Sequence, residues 1–152
     1  MEFQPLMDGL MEVLGFKGGR PADEQGIVRI GMDETSIAFV EIPETRELLV
    51  WSRIGSMPQS GADRLREAML RANFMGRAVS RGTLSQSDDG GVFLQRFLSL
   101  PQMDVGGLMS ELEGFVAAAV EWSGIISRCE AGAPPEASGD AESPSGKMIV
   151  RG

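Results

Sequence analysis

Few residues in this sequence could perform covalent or acid-base chemistry. The 152 residues include no His and no Tyr, and Cys129 is the only cysteine. His is the commonest general base and metal ligand, and a Ser or Cys nucleophile needs a neighbouring base to be activated. The two lysines, Lys17 and Lys147, lie in segments predicted to be flexible. We therefore expect that the protein is not an enzyme and has no metal site and no cofactor.

Paired acids and glycine clusters are the remaining candidates for chemistry. Asp33-Glu34 and Asp88-Asp89 could act as paired catalytic or calcium-binding carboxylates, but both lie in predicted hairpin turns, where acids are common for local reasons. The clusters Lys17-Gly18-Gly19-Arg20 and Gly90-Gly91 lack the spacing of a P-loop or of a dinucleotide-binding turn. We interpret all four as turns.

The charge balance and the cysteine count indicate where the protein acts. Fourteen Lys and Arg against 22 Asp and Glu give a net charge of −8, and such a surface repels the backbone of a nucleic acid. A single cysteine cannot form an intramolecular disulfide, which is typical of a reducing compartment. No apolar run approaches the roughly 18 to 20 residues that span a bilayer, and the first residues lack the basic start of a secretory signal. We expect a cytoplasmic protein that does not bind nucleic acid and does not insert into a membrane.

The hydrophobic periodicity changes from helical to strand-like after the first segment. Residues 4–16 carry apolar side chains three and four positions apart, which predicts an amphipathic helix. Residues 26–32, 35–42 and 46–54 are rich in β-branched and aromatic side chains and are separated by turn residues. This pattern predicts a three-stranded antiparallel meander.

The length of the turn at Pro43 to Thr45 decides which side chains share a face of that meander. A three-residue loop would pair odd positions with odd ones and form a mixed apolar and charged face, as a partner-binding surface would be. That face would carry Ile37, Phe39, Glu41, Glu47, Leu49, Trp51 and Arg53. The even positions from Ala38 to Ile54 would then form the purer core face. A four-residue loop would break this pairing.

A second helix and a hairpin follow. Ser60 and Asp63 have the spacing of a capping box at the start of a helix that is predicted to run to about residue 75. A weaker strand over 79–86, an Asp-Asp-Gly-Gly turn and a strand over 92–100 predict the hairpin. The last strand is apolar on both faces, so we expect protein to cover both.

A third helix and a polar tail complete the chain. Asp104 is predicted to cap a helix that runs to about Ile126. Residues 130–146 contain only Ala, Pro, Ser, Gly and acids, which cannot bury enough apolar surface to order themselves. We expect one domain over 1–128 and a flexible acidic tail over 129–152. The predicted fold class is α+β, an antiparallel twisted sheet with three helices in the order α-β-β-β-α-β-β-α.

Three sequence strings resemble the class I type III secretion chaperones of the CesT/Tir chaperone family. They are LLVWSRIG at 48–55, LREAMLRANF at 65–74 and LQRFLSLPQMDVGGLMSELEGFVAAAVEW at 94–122. In that family a similar small loop follows the third strand, and the second helix ends in a Leu-x-x-Asn-aromatic pattern that Leu70, Asn73 and Phe74 match. The final helix has a Trp like Trp122. The resemblance covers about residues 4–126.

The resemblance implies a homodimer without catalytic residues. It implies that the dimer binds the non-globular N-terminal segment of a secreted effector and keeps it soluble and export-competent without ATP. Mapped onto this sequence, the effector-binding candidates on the first helix and the sheet are Leu10, Val13, Leu14, Ile37, Phe39 and Trp51. The dimer-interface candidates on the second helix and the last strand are Leu65, Met69, Ala72, Phe93 and Phe97.

Two other functions remain as alternatives. A dimeric binding or regulatory module similar to the YbjN-like proteins would have the same outline but no secretion client. Neighbouring genes distinguish the two, because a secretion chaperone is commonly encoded beside its effector. A small enzyme is the second alternative, and the absence of His, Tyr and a second Cys argues against it.

Overall fold

A computed structural model describes residues 1–16 and 22–135 of the chain. Its elements follow the predicted order of three helices and five strands. They are α1 (Phe3–Val13), β1 (Val28–Met32), β2 (Thr35–Ile42), β3 (Glu47–Ser56), α2 (Ala62–Asn73), β4 (Thr83–Gln86), β5 (Gly91–Ser99) and α3 (Val105–Glu130). The predicted tail begins inside α3, because Cys129 and Glu130 complete that helix, and its residues 136–152 lie outside the described residues.

The five strands form one antiparallel sheet in the order β1-β2-β3-β5-β4. The turn between β2 and β3 has four residues, since Ile42 pairs directly with Glu47. Even positions of β2 therefore pair with odd positions of β3, as in the Ala38 and Trp51 pair. The predicted pairing of odd with odd positions is wrong, because one added turn residue moves the side chains of one strand to the other face.

One face of the sheet is almost completely buried. Its apolar side chains, at most 7% exposed, are Val28, Ile30, Ile37, Phe39, Leu48, Val50, Leu84, Val92, Leu94 and Leu98. Helix α3 packs against β3 and β2 and has ten buried residues, with Trp122 among the largest. The indole N–H of Trp122 donates to the Ala78 carbonyl at 3.3 Å, which satisfies the polar end of a buried aromatic ring.

Helix α1 approaches the start of α3 closely at Gly9. A β-carbon at Gly9 would lie 2.6 Å from the Val105 Cγ2 atom, so only glycine permits this spacing. Asp104 is the N-cap of α3, as predicted: its carboxylate accepts the Gly107 N–H at 2.7 Å. The predicted capping box of α2 is wrong. Gly61 is the N-cap, with a φ of 82° and no side-chain bond, and Asp63 instead pairs with Arg66 at 2.9 Å.

The segment between α2 and β4 is irregular. Residues 74–79 form a 3-10 turn interrupted by Met75, whose φ of 63° lies in the left-handed region. Ser80 and Arg81 also have positive φ values. The chain therefore enters the sheet only at Thr83, and β4 is four residues long where the pattern predicted a strand over 79–86.

Candidate functional site

The six predicted effector-binding residues do not form one surface. Leu10, Ile37 and Phe39 are fully buried in the core. Val13 and Leu14 lie at the C-terminal end of α1, where Val13 is 60% exposed and Leu14 is partly exposed. Trp51 lies on the face of the sheet opposite to Phe39. The four-residue turn separates them, because it turns Ile37 and Phe39 inward and leaves Trp51 outward.

The second face of the sheet carries a row of apolar side chains, most of them partly exposed, which we call the open face. Its apolar members are Ala38, Val40, Ile42, Leu49, Trp51, Phe93 and Phe97. Val40, Leu49 and Phe97 stand side by side on three neighbouring strands, and Phe97 is 49% exposed. A broad apolar surface of this kind lowers its free energy when another apolar segment covers it. We predicted that protein covers both faces of β5. Within the described residues, only one of these faces is covered.

Charged groups flank the open face near the β4 and β5 turn. The Arg53 guanidinium lies 5.7 Å from the centre of the Phe93 ring and 3.5 Å from the Asp89 carboxylate. A hydrogen bond from the Ser87 hydroxyl, then one from the Gly91 N–H, lowers the pKa of Asp89. Asp89 therefore organises a turn, as its sequence context predicted, and holds Arg53 beside an aromatic ring.

The predicted dimer-interface residues are likewise divided between the core and the open face. Leu65, Met69 and Ala72 are the buried stripe of α2 and pack into the core, so they present almost no surface to a partner. The exposed apolar residues of this region are Leu70, Phe74 and Met75, each 71 to 75% exposed, and we call them the α2 patch. Sequence reasoning missed them as a surface. The available signal was that Leu70 and Phe74 are apolar yet stand outside the helical spacing of the buried stripe.

Residues suited to metal binding or nucleophilic chemistry do not converge in the part of the chain that the structure describes. Within it, no three His, Cys, Asp or Glu side chains gather as metal ligands would. Cys129 is buried, and loss of solvation raises the pKa of its thiol. Over the same residues, no helix has the length and apolar character needed to cross a membrane.

Comparison with known families and structures gives one consistent result. The family model of the Tir chaperone protein (CesT) family matches residues 6–123. No curated protein sequence matches the chain significantly.

The fold is similar to that of several solved complexes. A chain of the ExsC-ExsE complex has a TM-score of 0.66 at 16% identity, covering 80% of this chain and 91% of that one. A chain from the complex of the Yersinia pestis type III secretion chaperone SycH with a stable fragment of YscM2 has a TM-score of 0.60 at 22% identity, and the match covers 76% of this chain and 95% of that one. A chain of the HopA1-SchA chaperone-effector complex has a TM-score of 0.65 at 15% identity, and the match covers 80% of this chain and 92% of that one. At sequence identities this low, the structural similarity establishes the fold alone.

Proposed function

Because the chain belongs to the Tir chaperone protein (CesT) family, we propose that it is a type III secretion chaperone. In this proposal it binds the non-globular N-terminal segment of a secreted effector in the cytoplasm and keeps it soluble and competent for export, without ATP. The observation that carries the proposal is the open face, where Val40, Leu49 and Phe97 form an apolar row across three strands. Similar chains occur in complexes such as HopA1-SchA, whose two proteins are a chaperone and an effector.

An unfolded client fits this surface better than a folded one. A sheet face offers a wide, shallow apolar area, and an extended segment can lay alternate side chains on it while its other side chains stay in water. Apolar burial on binding offsets the ordering cost of the segment, so no nucleotide is needed to drive the association. The exposed Val13 and the partly exposed Leu14 offer a second apolar position at the end of α1. A long segment could contact both.

We place the homodimer contact at the α2 patch. Leu70, Phe74 and Met75 lie within six positions of one another and are each more than seven-tenths exposed. A two-fold interface joins the same patch of two copies, so one apolar patch is enough to form it. The charge of Arg71 beside it is balanced by Glu67, which lies 2.5 Å away on the same helix. Leu65, Met69 and Ala72 would support this interface from the core side.

Affinity purification with the full chain as bait, from a lysate of its source cells, tests the proposal. We expect a co-purified protein in which a continuous stretch of about 50 to 100 residues near the N-terminus resists proteolysis, the scale of a coupled folding and binding surface. Recovery of folded proteins alone, with no protected segment, would reject the chaperone and favour the YbjN-like regulatory module.

A pair of matched variants assigns the contact. Leu49→Lys places a charge in the middle of the open face and should weaken client capture about tenfold, which corresponds to about 1.4 kcal/mol. Val120→Lys is the control, because Val120 is 50% exposed and lies on α3 away from that face. If both variants keep the circular dichroism spectrum of the wild-type chain and capture the client equally well, the client does not bind at the open face.

A further inference from the structure

Three charged side chains belong to the open face. Arg29 lies on β1, directly across from Ala38 of that face, and Glu47 and Arg53 lie near the two ends of β3. Positions 47, 49, 51 and 53 alternate with the buried positions of β3, which places their side chains on the open face. The state of these three charges decides which client charges the face attracts.

The two arginines are already paired within the chain. The Arg29 guanidinium lies 2.7 Å from the Asp23 carboxylate. Arg53 lies 3.5 Å from the Asp89 carboxylate and donates to the Ser56 hydroxyl at 3.1 Å. A charge that already has an opposite partner gains little from a second one, because the two fields largely cancel outside the pair. Neither arginine is therefore a strong attractor for a client carboxylate.

Glu47 is the charge of the open face that has no partner. It is partly buried, and its carboxylate forms no ion pair or hydrogen bond with any described residue. Its direct neighbours across the sheet are Ile42 on β2 and Ser99 on β5, which carry no charge. A carboxylate that has lost part of its water gains most from a cation that donates hydrogen bonds to it. Glu47 thus suits a Lys or Arg side chain from a partner.

Glu47 also has a fixed position relative to the apolar surface. It lies two residues before Leu49, the middle member of the apolar row that Val40 and Phe97 complete. An extended segment repeats the side chains of one face every second residue, as β3 itself does, at a rise of about 3.3 Å per residue. A client segment that lies over β3 with a basic side chain at Glu47 therefore brings the side chain two residues away to Leu49.

The charge of the whole chain favours the same kind of client. With a net charge of −8, the chain attracts a basic segment before contact and repels an acidic one. The local field at Glu47 has the same sign as this overall field. Both fields therefore select the same client charge, and the apolar row selects the residue beside it.

We infer that the open face selects a client segment in which a Lys or Arg lies two residues from a large apolar residue. The basic side chain pairs with Glu47, and the apolar one covers Leu49. This inference rests on the proposed function and names the chemistry of the client within it. Glu47 is then a residue that determines specificity, because an acidic or neutral side chain at the same place leaves its carboxylate partly buried and unpaired.

Binding of the full chain to its co-purified client segment, measured by calorimetry, tests the inference. Glu47→Gln keeps the shape of the side chain and removes the charge, and it should weaken binding about fivefold. Glu44→Gln makes the same change at an exposed position in the turn before β3 and should leave binding unchanged. Glu47→Lys should weaken binding about tenfold, since it places two like charges together. Glu44→Lys alters the total charge equally and is its control.

Charge reversal on the client supplies the second readout. Replacement of the one basic client residue that contacts Glu47 by Glu should weaken binding to the wild-type chain and restore binding to Glu47→Lys. If each Lys and Arg of the segment is replaced in turn and none restores it, the pairing is wrong.

The outcomes separate this inference from the proposed function. If the wild-type chain binds no client segment, the proposed function itself fails. If it binds one and Glu47→Gln binds as tightly, only the inference is wrong. Equal weakening by Glu47→Lys and Glu44→Lys would assign the effect to total charge and overturn the inference. A protected segment that has no Lys or Arg two residues from an apolar residue would overturn it as well.

Discussion

The side chain of Asn73 pairs with the backbone of Leu84 as a neighbouring strand would. Its amide nitrogen donates to the Leu84 carbonyl at 3.0 Å, and its amide oxygen accepts the Leu84 N–H at 2.8 Å. Asn73 is the last residue of α2, and Leu84 lies on the edge strand β4. One residue thus fixes the end of a helix to a sheet edge and satisfies both backbone groups there, which explains why an Asn follows the exposed Leu70 in this sequence pattern.

Replacement of Asn73 by Ala should destabilise the protein. The Leu84 N–H and C=O would lose their partners in a partly buried place, at a cost of about 1 to 3 kcal/mol in the free energy of unfolding. Urea unfolding at a fixed protein concentration measures it. Arg71→Ala on the same helix removes only an exposed ion pair and should stay within about 0.5 kcal/mol. A loss no larger for Asn73→Ala than for Arg71→Ala would show that this double hydrogen bond does not stabilise the fold.

The ion pair between Arg96 and Glu111 joins β5 to α3 with one partner almost fully buried. Arg96 is 9% exposed, Glu111 is 31% exposed, and the guanidinium also donates to the Ser80 carbonyl at 3.3 Å. Glu111→Leu should cost about 3 kcal/mol, the lower end of the range for a broken buried pair, because it leaves a buried charge unpaired. The double variant Arg96→Met and Glu111→Leu should recover most of that loss. Equal stability of the single and double variants, measured by urea unfolding, would contradict this account.

Cys129 should react slowly in the folded protein. It is 6% exposed, and burial raises the pKa of its thiol, so at pH 8 a smaller fraction is present as the reactive thiolate than in an unfolded chain. Labelling with iodoacetamide, followed by mass spectrometry, should be incomplete for the native protein and complete in guanidinium chloride. The native rate should increase as the pH is raised toward the higher pKa. Complete native labelling at the rate of the unfolded chain would show that the end of α3 is open.

The order and type of the elements could be predicted because the periodic segments are long and separated by turn residues. Asp104 and its helix were predicted for a physical reason that the structure confirms, a carboxylate on a first-turn N–H. The face of each strand could not be predicted, because it depends on the parity of a turn. Arg46 is a fourth residue in a turn that was predicted to have three. Because of this one extra position, Phe39 and the alternating residues around it face the core instead of the predicted mixed surface.

The candidate surfaces were harder to predict than the fold for a related reason. An apolar residue in a helical stripe looks the same in sequence whether a core or a partner covers it, so Met69 was assigned to an interface although the chain itself buries it. The exposed residues Leu70 and Phe74 break the stripe, and breaks in periodicity were the better indicator of a surface. The short length of β4 depends on where the strand begins, and the left-handed backbone at Ser80 and Arg81 sets that start at Thr83.

The α2 patch should control the oligomeric state. Light scattering of the wild-type chain at micromolar concentration should give about twice the monomer mass, because burial of Leu70, Phe74 and Met75 against their copies removes three exposed apolar groups from water. Phe74→Asp should shift the protein toward the monomer, since it places a charge in that apolar contact. Val13→Asp, at another exposed apolar position on α1, should leave the dimer intact. A wild-type chain that is already monomeric, or a Phe74→Asp variant that still dimerises as Val13→Asp does, would remove the α2 patch as the interface.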